Sequence, residues 1–175
     1  MTALQAGSSF PDISTPKFGG GELSLSKPAE GYDWKAVVVY RGKHCPLCTK
    51  YLKQLNELKP QFNELGVDVI AVSGDPEEKA KIQLEQINPD FEVGYDLTIE
   101  QMQELGLYTS DPRSPQETDK PFAEPGFFVI NDEGKAQIID ISNAPFARPE
   151  LESMLMGLKF LRNPENNYPI RGMHN

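Results

Sequence analysis

The sequence contains few of the residues that build cross-linked or metal-bound proteins. Its 175 residues include two cysteines, two histidines and one tryptophan. Two cysteines are too few for the disulfide framework of small secreted proteins. A tetrahedral zinc site needs four ligands, and Cys45, Cys48 and His44 have only the distant His174 to complete the set. The composition therefore argues against a metal site.

Positive charge and long apolar runs are also scarce. Lysine and arginine total 17 against 26 acidic residues, which gives a formal charge of −9. This balance argues against nucleic acid or an anionic membrane surface as the main partner. No apolar run approaches the roughly 20 residues that span a bilayer, and residues 1–12 carry no secretory signal pattern. We therefore expect a cytoplasmic location, where closely spaced cysteines are more often catalytic or metal-binding than structural.

The two cysteines lie where a predicted strand meets a predicted helix. Residues 36–40 are an apolar, β-branched run typical of a buried strand, and residues 47–65 place apolar side chains at helical spacing. Pro46 fits the first helical position, because an N–H there would have no partner. Cys45 is then the N-cap, near unpaired N–H groups and the positive end of the helix dipole. That environment lowers a thiol pKa, so Cys45 is the candidate nucleophile and Cys48, one turn later, the candidate resolving thiol.

Strands and helices alternate along the rest of the chain. Further strands are predicted at residues 67–73, 91–95, 126–131 and 135–141. Three further helices are predicted. Asp75 and Pro76 should cap the first, Thr98 should cap the second, and residues 148–150 should open the third. Pro60 should kink or break the first helix, and Gly66 should end it. The order β-α-β-α, then β-β-α, predicts an α/β fold whose mixed sheet has two parallel strands, an antiparallel hairpin and helices on both faces.

The less regular segments lie at the ends and in one internal loop. Residues 1–34 are rich in glycine, serine and proline and form a predicted N-terminal extension. Within it, residues 18–25 indicate a β-hairpin with a glycine turn, the alternative being a flexible arm. Residues 110–121 are a polar loop with three prolines, and residues 163–175 an irregular tail. No second domain is visible, so residues 1–175 are predicted to form one domain.

The motif and its surroundings resemble a known family. Three segments carry the resemblance: residues 40–48 (Tyr-Arg-Gly-Lys-His-Cys-Pro-Leu-Cys), the strand at residues 69–73, and the strand and hairpin at residues 124–134. They resemble the thioredoxin superfamily, and within it the peroxiredoxin-like proteins of the AhpC/TSA type. Residues 10–13 and the hairpin after them resemble the extension that peroxiredoxins add. The resemblance covers about residues 8–161. It implies a thioredoxin-like fold with an N-terminal β-hairpin extension.

The resemblance also implies roles for residues near the cysteines. Pro125 holds the position of a cis-proline that faces the cysteine pair, so we expect a cis Glu124–Pro125 bond. Arg41 either holds the thiolate or an anionic substrate group, or is structural. His44 either favours the Cys45 thiolate when protonated or is a packing residue. Glu124 is a weaker candidate for proton transfer.

Departures from the peroxiredoxin pattern bear on the activity. Gly42 stands where those enzymes carry a threonine, Val38 where they carry a proline, and Pro125 where a later strand supplies an arginine. Arg41, or another group, could replace that arginine in space. Because donors for a peroxide look scarce, we predict a thiol–disulfide oxidoreductase with weak peroxide turnover. The alternatives are a thiol peroxidase and a redox-inactive binding module on the same fold.

The expected reaction needs no metal or organic cofactor. Cys45 attacks a disulfide or a hydroperoxide, and Cys48 resolves the product to an intramolecular disulfide. A thioredoxin- or glutathione-type reductant then resets the pair. Neither nucleic acid nor a membrane is an expected partner, and a homodimer is compatible with the sequence.

Overall fold

The computed structural model, which describes residues 4–174, alternates strands and helices in the order expected from the sequence. The strands are β1 (Ser14–Pro16), β2 (Glu22–Ser24), β3 (Trp34–Val39), β4 (Val67–Val72), β5 (Glu92–Gly94), β6 (Thr109–Ser110), β7 (Phe122–Ala123), β8 (Gly126–Ile130) and β9 (Ala136–Ile141). The helices are α1 (Pro46–Glu64), α2 (Glu77–Ile87), α3 (Ile99–Glu104) and α4 (Leu151–Arg162). Their order builds an α/β fold of the thioredoxin-like type.

A five-stranded mixed sheet forms the centre, with strand order β5-β4-β3-β8-β9. Strands β3, β4 and β5 run parallel, whereas β8 is antiparallel to both β3 and β9. The sequence predicted two parallel strands, and short β5 is the third. The predicted β8–β9 hairpin is confirmed. Since β3 is central and buried throughout, its alternate side chains face two different apolar clusters.

Each face of the sheet has its own apolar layer. On one face α1, α2 and α4 pack together, through residues such as Leu52 and Leu158. On the other face lie α3 and the N-terminal segment, through residues such as Met102 and Leu25. The prediction of helices on both faces is confirmed, and the N-terminal extension is part of the core.

The N-terminal hairpin is ordered by contacts with the sheet. β1 and β2 pair antiparallel, and the Lys17 N–H donates to the Gly21 carbonyl at 2.9 Å to close the glycine turn. The Phe18 N–H donates to the Val93 carbonyl at 2.8 Å, which joins the hairpin to β5. The hairpin prediction is therefore confirmed, and the flexible-arm alternative is wrong.

The helix boundaries differ from expectation at two places. α1 runs without a break through Pro60, and the buried side chains of Leu55 and Phe62 fix it to the core on both sides of the proline. Gly66, at φ +78°, follows the end of α1 as predicted. α4 begins at Leu151, so Arg148 lies in the loop before it instead of opening the helix.

The predicted loop and tail have limited regular structure. β6 and β7 pair antiparallel and close the base of the loop at residues 110–121. A single 3-10 turn at Pro164–Asn166 interrupts the otherwise irregular tail up to residue 174. Within residues 4–174, no helix combines the length and the apolar character needed to cross a bilayer.

Candidate active site

Three strand ends meet at one edge of the sheet. Val39, the last residue of β3, pairs with Val72 at the end of β4 and with Gly126 at the start of β8. The segments that follow β3 and β4 and the segment that precedes β8 therefore converge there. The carboxyl ends of parallel strands are the usual location of sites in open α/β sheets.

The cysteine pair sits at this edge, at the start of α1. Cys45 is the N-cap, Pro46 holds the first helical position, and the Cys45 sulfur accepts the Cys48 N–H at 3.3 Å. The Cys48 thiol donates to the Cys45 sulfur at 2.7 Å. Both cysteines are free thiols, and their side chains are buried. The predicted local geometry of Cys45, Pro46 and Cys48 is thus present.

The surroundings push the two thiol pKa values in opposite directions. The hydrogen bond from the Cys48 thiol is the largest cause that lowers the pKa of Cys45. The Cys48 N–H, the Arg41 side chain and the charge of Arg148 lower it further, and together these causes outweigh burial, which raises it. Burial, followed by the hydrogen bond to Cys45, raises the pKa of Cys48. The geometry therefore favours a thiolate on Cys45 and a protonated thiol on Cys48.

Arg41 connects the cysteine pair to a buried carboxylate. Its Nε lies 2.9 Å from Oε1 of Glu124, whose other oxygen accepts the Ser110 hydroxyl at 2.6 Å. The guanidinium stacks on the Phe122 ring, 4.7 Å from its centroid. The Arg41 main-chain N–H also points at the Cys48 sulfur, 3.4 Å away. Arg41 is held in place on one side by a carboxylate and a ring, and it supplies positive charge to the thiolate on the other.

His44 is a packing residue. Its ring meets the Phe122 ring edge to face, with centroids 4.4 Å apart. Both ring nitrogens are buried without a hydrogen-bond partner among the described residues. Burial, followed by the charge of Arg41, lowers the pKa of His44, so the ring is neutral at neutral pH. Of the two interpretations of His44, the geometry supports the packing one.

The structure contradicts the expected cis bond before Pro125. No peptide bond among residues 4–174 is cis. The Glu124 N–H donates to the Tyr108 carbonyl at 2.8 Å, and the Pro125 carbonyl accepts the Ser142 N–H at 3.1 Å. Because both residues are paired with neighbouring segments, the chain passes from β7 to β8 as extended backbone. Pro125 lines a small cavity that Tyr51 and Arg148 also line.

Gly42 is explained by its conformation and by Asp75. Its φ is +138°, and a Cβ there would lie 2.8 Å from the Asp75 carboxylate oxygens. That carboxylate accepts the Lys43 N–H at 2.7 Å, so it does not cap α2, whose N-cap is Pro76. A β-branched threonine at position 42 would be strained and would collide with Asp75. Of the two residues predicted to cap α2, Pro76 is the N-cap, whereas Asp75 makes no cap hydrogen bond and instead stabilises the cysteine loop.

Sequence reasoning missed Arg148 as a site residue. Its Nη2 lies 3.3 Å from the Cys48 sulfur and its Nε donates to the Pro145 carbonyl at 2.7 Å. The guanidinium lies over the Tyr51 ring, 5.0 Å from its centroid. The family pattern calls for an arginine beside the cysteine, and that was the only signal available. The arginine comes from the loop before α4 instead of from a strand.

Comparisons with known proteins agree with this arrangement. The profile of the AhpC/TSA family matches residues 6–139. The thiol-disulfide oxidoreductase ResA of Geobacillus kaustophilus is 27% identical over 161 residues, which cover 90% of this chain and 80% of that protein. ResA of Geobacillus thermodenitrificans is 28% identical over 141 residues, covering 79% and 70%.

The solved structures that superpose on this chain include peroxiredoxins. A cysteine-to-serine mutant of peroxiredoxin 6 from Arenicola marina superposes with a TM-score of 0.79 at 20% identity, over 93% of this chain and 76% of that chain. A peroxiredoxin-like protein from Aquifex aeolicus gives 0.75 at 20% identity, over 92% and 90%. At these identities the likeness establishes the fold.

Proposed function

The chain belongs to the AhpC/TSA family and is a thiol-dependent redox enzyme, and we propose that it reduces disulfides by dithiol–disulfide exchange between Cys45 and Cys48. The observation that carries this proposal is the thiol-to-sulfur contact of 2.7 Å at the start of α1. It pairs a nucleophile of lowered pKa with a protonated resolving thiol one helical turn away. A dithiol in this arrangement needs neither a metal nor an organic cofactor.

Cys45 performs the first step. Its thiolate attacks one sulfur of a substrate disulfide, which forms a Cys45–substrate mixed disulfide and releases the other substrate sulfur as a thiolate. The hydrogen bond from the Cys48 thiol, together with the Cys48 N–H and the Arg41 side chain, lowers the pKa of Cys45, so the thiolate is present at neutral pH. Because Cys45 is only 1% exposed, a substrate reaches it only when the side chains around it move.

Cys48 performs the second step. It gives up its proton, which passes through solvent to a substrate thiolate, and attacks the Cys45 sulfur; this releases the second substrate thiolate and leaves a Cys45–Cys48 disulfide. Two electrons pass from the cysteine pair to the substrate, which becomes two thiols after protonation. An external thiol reductant of the thioredoxin or glutathione type then returns two electrons to the pair.

Glu124 contributes by holding Arg41. Its carboxylate is buried and pairs with Arg41, so the guanidinium needs no large rearrangement to face the cysteines. A buried ion pair of this kind fixes geometry more reliably than it adds stability. We therefore assign Glu124 a positioning role in place of proton transfer.

The experiment that tests the proposal compares two substrates on the purified, reduced protein. Without added reductant, insulin or hydrogen peroxide is mixed with the reduced protein, and the loss of its two thiols is measured side by side with the appearance of insulin thiols or the consumption of peroxide. We expect disulfide reduction to be the faster reaction and to vanish in Cys45→Ser. Peroxide consumption without disulfide reduction would replace the proposal by its alternative.

Thiol peroxidase activity is the second candidate, and one observation favours it. Both Arg41 and Arg148 point charge at the cysteine pair, so guanidinium donors are present although the strand position expected to supply one holds Pro125. In this reaction the Cys45 thiolate attacks one peroxide oxygen, which breaks the O–O bond, forms a sulfenic acid and releases the other oxygen as water or an alcohol after protonation. The Cys48 thiol then condenses with the sulfenic acid, which forms the Cys45–Cys48 disulfide and releases water. The threonine hydroxyl remains missing, because Gly42 and Asp75 occupy its place. We therefore rank peroxide reduction as the weaker activity.

Location and assembly remain predictions. We propose a cytoplasmic location, because the thiol reductants that would reset the pair are abundant there. Cell fractionation with an antibody against the protein tests it. A homodimer is a further prediction, and the mass of the reduced protein in light scattering decides between one copy and two.

A further inference from the structure

Arg148 and Arg41 contact the two cysteines differently. The Arg148 Nη2 lies 3.3 Å from the sulfur of Cys48, whereas the Arg41 side chain acts on Cys45. We infer that Arg148 is a catalytic residue of the second step, whose guanidinium stabilises the Cys48 thiolate that resolves the mixed disulfide. This inference rests on the proposed function, and it assigns one arginine to each half of the reaction.

The chemistry of the second step creates a need for such a group. In the reduced protein the Cys48 proton is shared with the Cys45 sulfur. Once Cys45 is part of a mixed disulfide its negative charge is gone, and Cys48 must then become the charged sulfur while buried. Burial opposes a thiolate. A guanidinium in hydrogen-bond contact offsets that cost, since charge-assisted hydrogen bonds are the stronger kind.

Arg148 is held in position before the reaction starts. Its Nε donates to the Pro145 carbonyl at 2.7 Å, and its guanidinium lies over the Tyr51 ring at 5.0 Å. The Tyr51 hydroxyl donates to the Pro149 carbonyl at 2.7 Å, which fixes the ring against the same loop. With these contacts in place, one face of the guanidinium and its Nε are occupied, and Nη2 remains directed at the Cys48 sulfur.

The other groups near Cys48 do not replace Arg148. The ionisable groups that act on Cys48 are Cys45, Arg148, the buried Tyr40 hydroxyl and, through its charge alone, the Arg41 side chain. Burial raises the pKa of Tyr40, so this residue is neutral. The Arg41 main-chain N–H, 3.4 Å from the Cys48 sulfur, carries no net charge. Arg148 is thus the cation with a side-chain contact to this sulfur among the residues described.

A two-phase thiol assay separates the two steps. The reduced protein is mixed rapidly with excess 5,5′-dithiobis(2-nitrobenzoate), whose coloured thiolate is released once by attack and once by resolution. In Arg148→Met we expect resolution to slow by about tenfold or more, because a charged hydrogen bond to the reacting sulfur is lost. The midpoint of the pH profile of the resolution rate should also rise. The attack phase should change less, because the Cys48 thiol is the larger cause of the low Cys45 pKa.

Matched variants keep the test decisive. Arg41→Met should slow attack more than resolution, the reverse of Arg148→Met. Arg148→Lys, which keeps the charge, should recover part of the resolution rate and guards against misfolding of Arg148→Met. Arg171→Met removes one positive charge from the exposed tail and should leave both phases unchanged.

Two results would overturn the inference, and they differ from failure of the proposed function. Resolution unchanged in both Arg148 variants would show that Arg148 does not act on Cys48. Equal slowing of attack and resolution in Arg148→Met would assign it a general electrostatic role. Absence of any fast release by the unaltered protein would instead refute the proposed function.

Discussion

The residues that surround Cys45 and those that surround Cys48 lie at very different distances along the chain. Cys45 is set up by its own strand-to-helix turn, with Arg41 just before it and the Cys48 N–H just after it. The arginine at Cys48 comes from 100 residues away, in the loop before α4. The attacking sulfur is therefore activated by local structure, and the resolving sulfur depends on how α4 and its loop pack against α1. Changes near the motif should affect attack, and changes near α4 should affect resolution.

The largest effects should come from the cysteines themselves. Cys45→Ser should abolish disulfide reduction, because the serine hydroxyl is not ionised at neutral pH. Cys48→Ser should still attack, and should accumulate a mixed disulfide on Cys45 that mass spectrometry identifies. Oxidation of the unaltered protein should yield an intramolecular Cys45–Cys48 disulfide. Reductase activity in Cys45→Ser would show that the roles are reversed.

The pH dependence of Cys45 should reveal which neighbour matters most. Because its pKa is lowered, alkylation by iodoacetamide should stay fast as the pH falls below the ordinary cysteine range, until the pH reaches this lowered pKa. Arg41→Met should raise the midpoint of the curve of alkylation rate against pH. Cys48→Ala should raise it further, since the Cys48 thiol is the largest cause of the shift. Peptide-resolved mass spectrometry measures the rate at each pH, and a midpoint unmoved in both variants would contradict the assignment.

A pair of glycines tests the explanation of the cysteine loop. Gly42 and Gly134 both have positive φ, but only Gly42 has a carboxylate where a Cβ would lie. Gly134→Ala should lower the free energy of unfolding by about 1 kcal/mol. Gly42→Ala should cost about 1–3 kcal/mol more, because the new methyl group collides with Asp75 and because φ +138° lies further from the left-handed α region than the +73° of Gly134. Urea denaturation of both variants measures the difference, and equal costs would mean that Asp75 yields without penalty.

The smallest effect should come from His44. Its ring is neutral and packs on Phe122, so His44→Phe should preserve the contact and change the attack rate by less than about twofold. The rate profile should show no inflection at the ordinary histidine pKa. Rapid mixing with the chromogenic disulfide across this pH range tests it. A large loss of rate, or an inflection that disappears in the variant, would restore the protonated role.

The sequence alone was enough for the parts of the site that depend on neighbouring residues. The apolar run before Arg41, Pro46 at the first helical position and the cysteine spacing predicted the strand, the helix and the N-cap, because each depends on local backbone geometry. The glycine turn of the N-terminal hairpin and the end of α1 at Gly66 were readable for the same reason. The mixed sheet followed from the order of these elements.

Only the tertiary structure decided which distant residues reach the cysteines. Arg148 looked like the start of a helix, and its approach to Cys48 depends on the packing of the α4 loop against Tyr51. Asp75 looked like a helix cap, yet its carboxylate binds the Lys43 N–H across the sheet edge. The Glu124–Pro125 bond is trans, and both of its residues pair with segments that are distant in the sequence. Local propensity determines the elements, whereas contacts between residues far apart in the chain form only when those elements pack, and they place the charges around the reacting sulfurs.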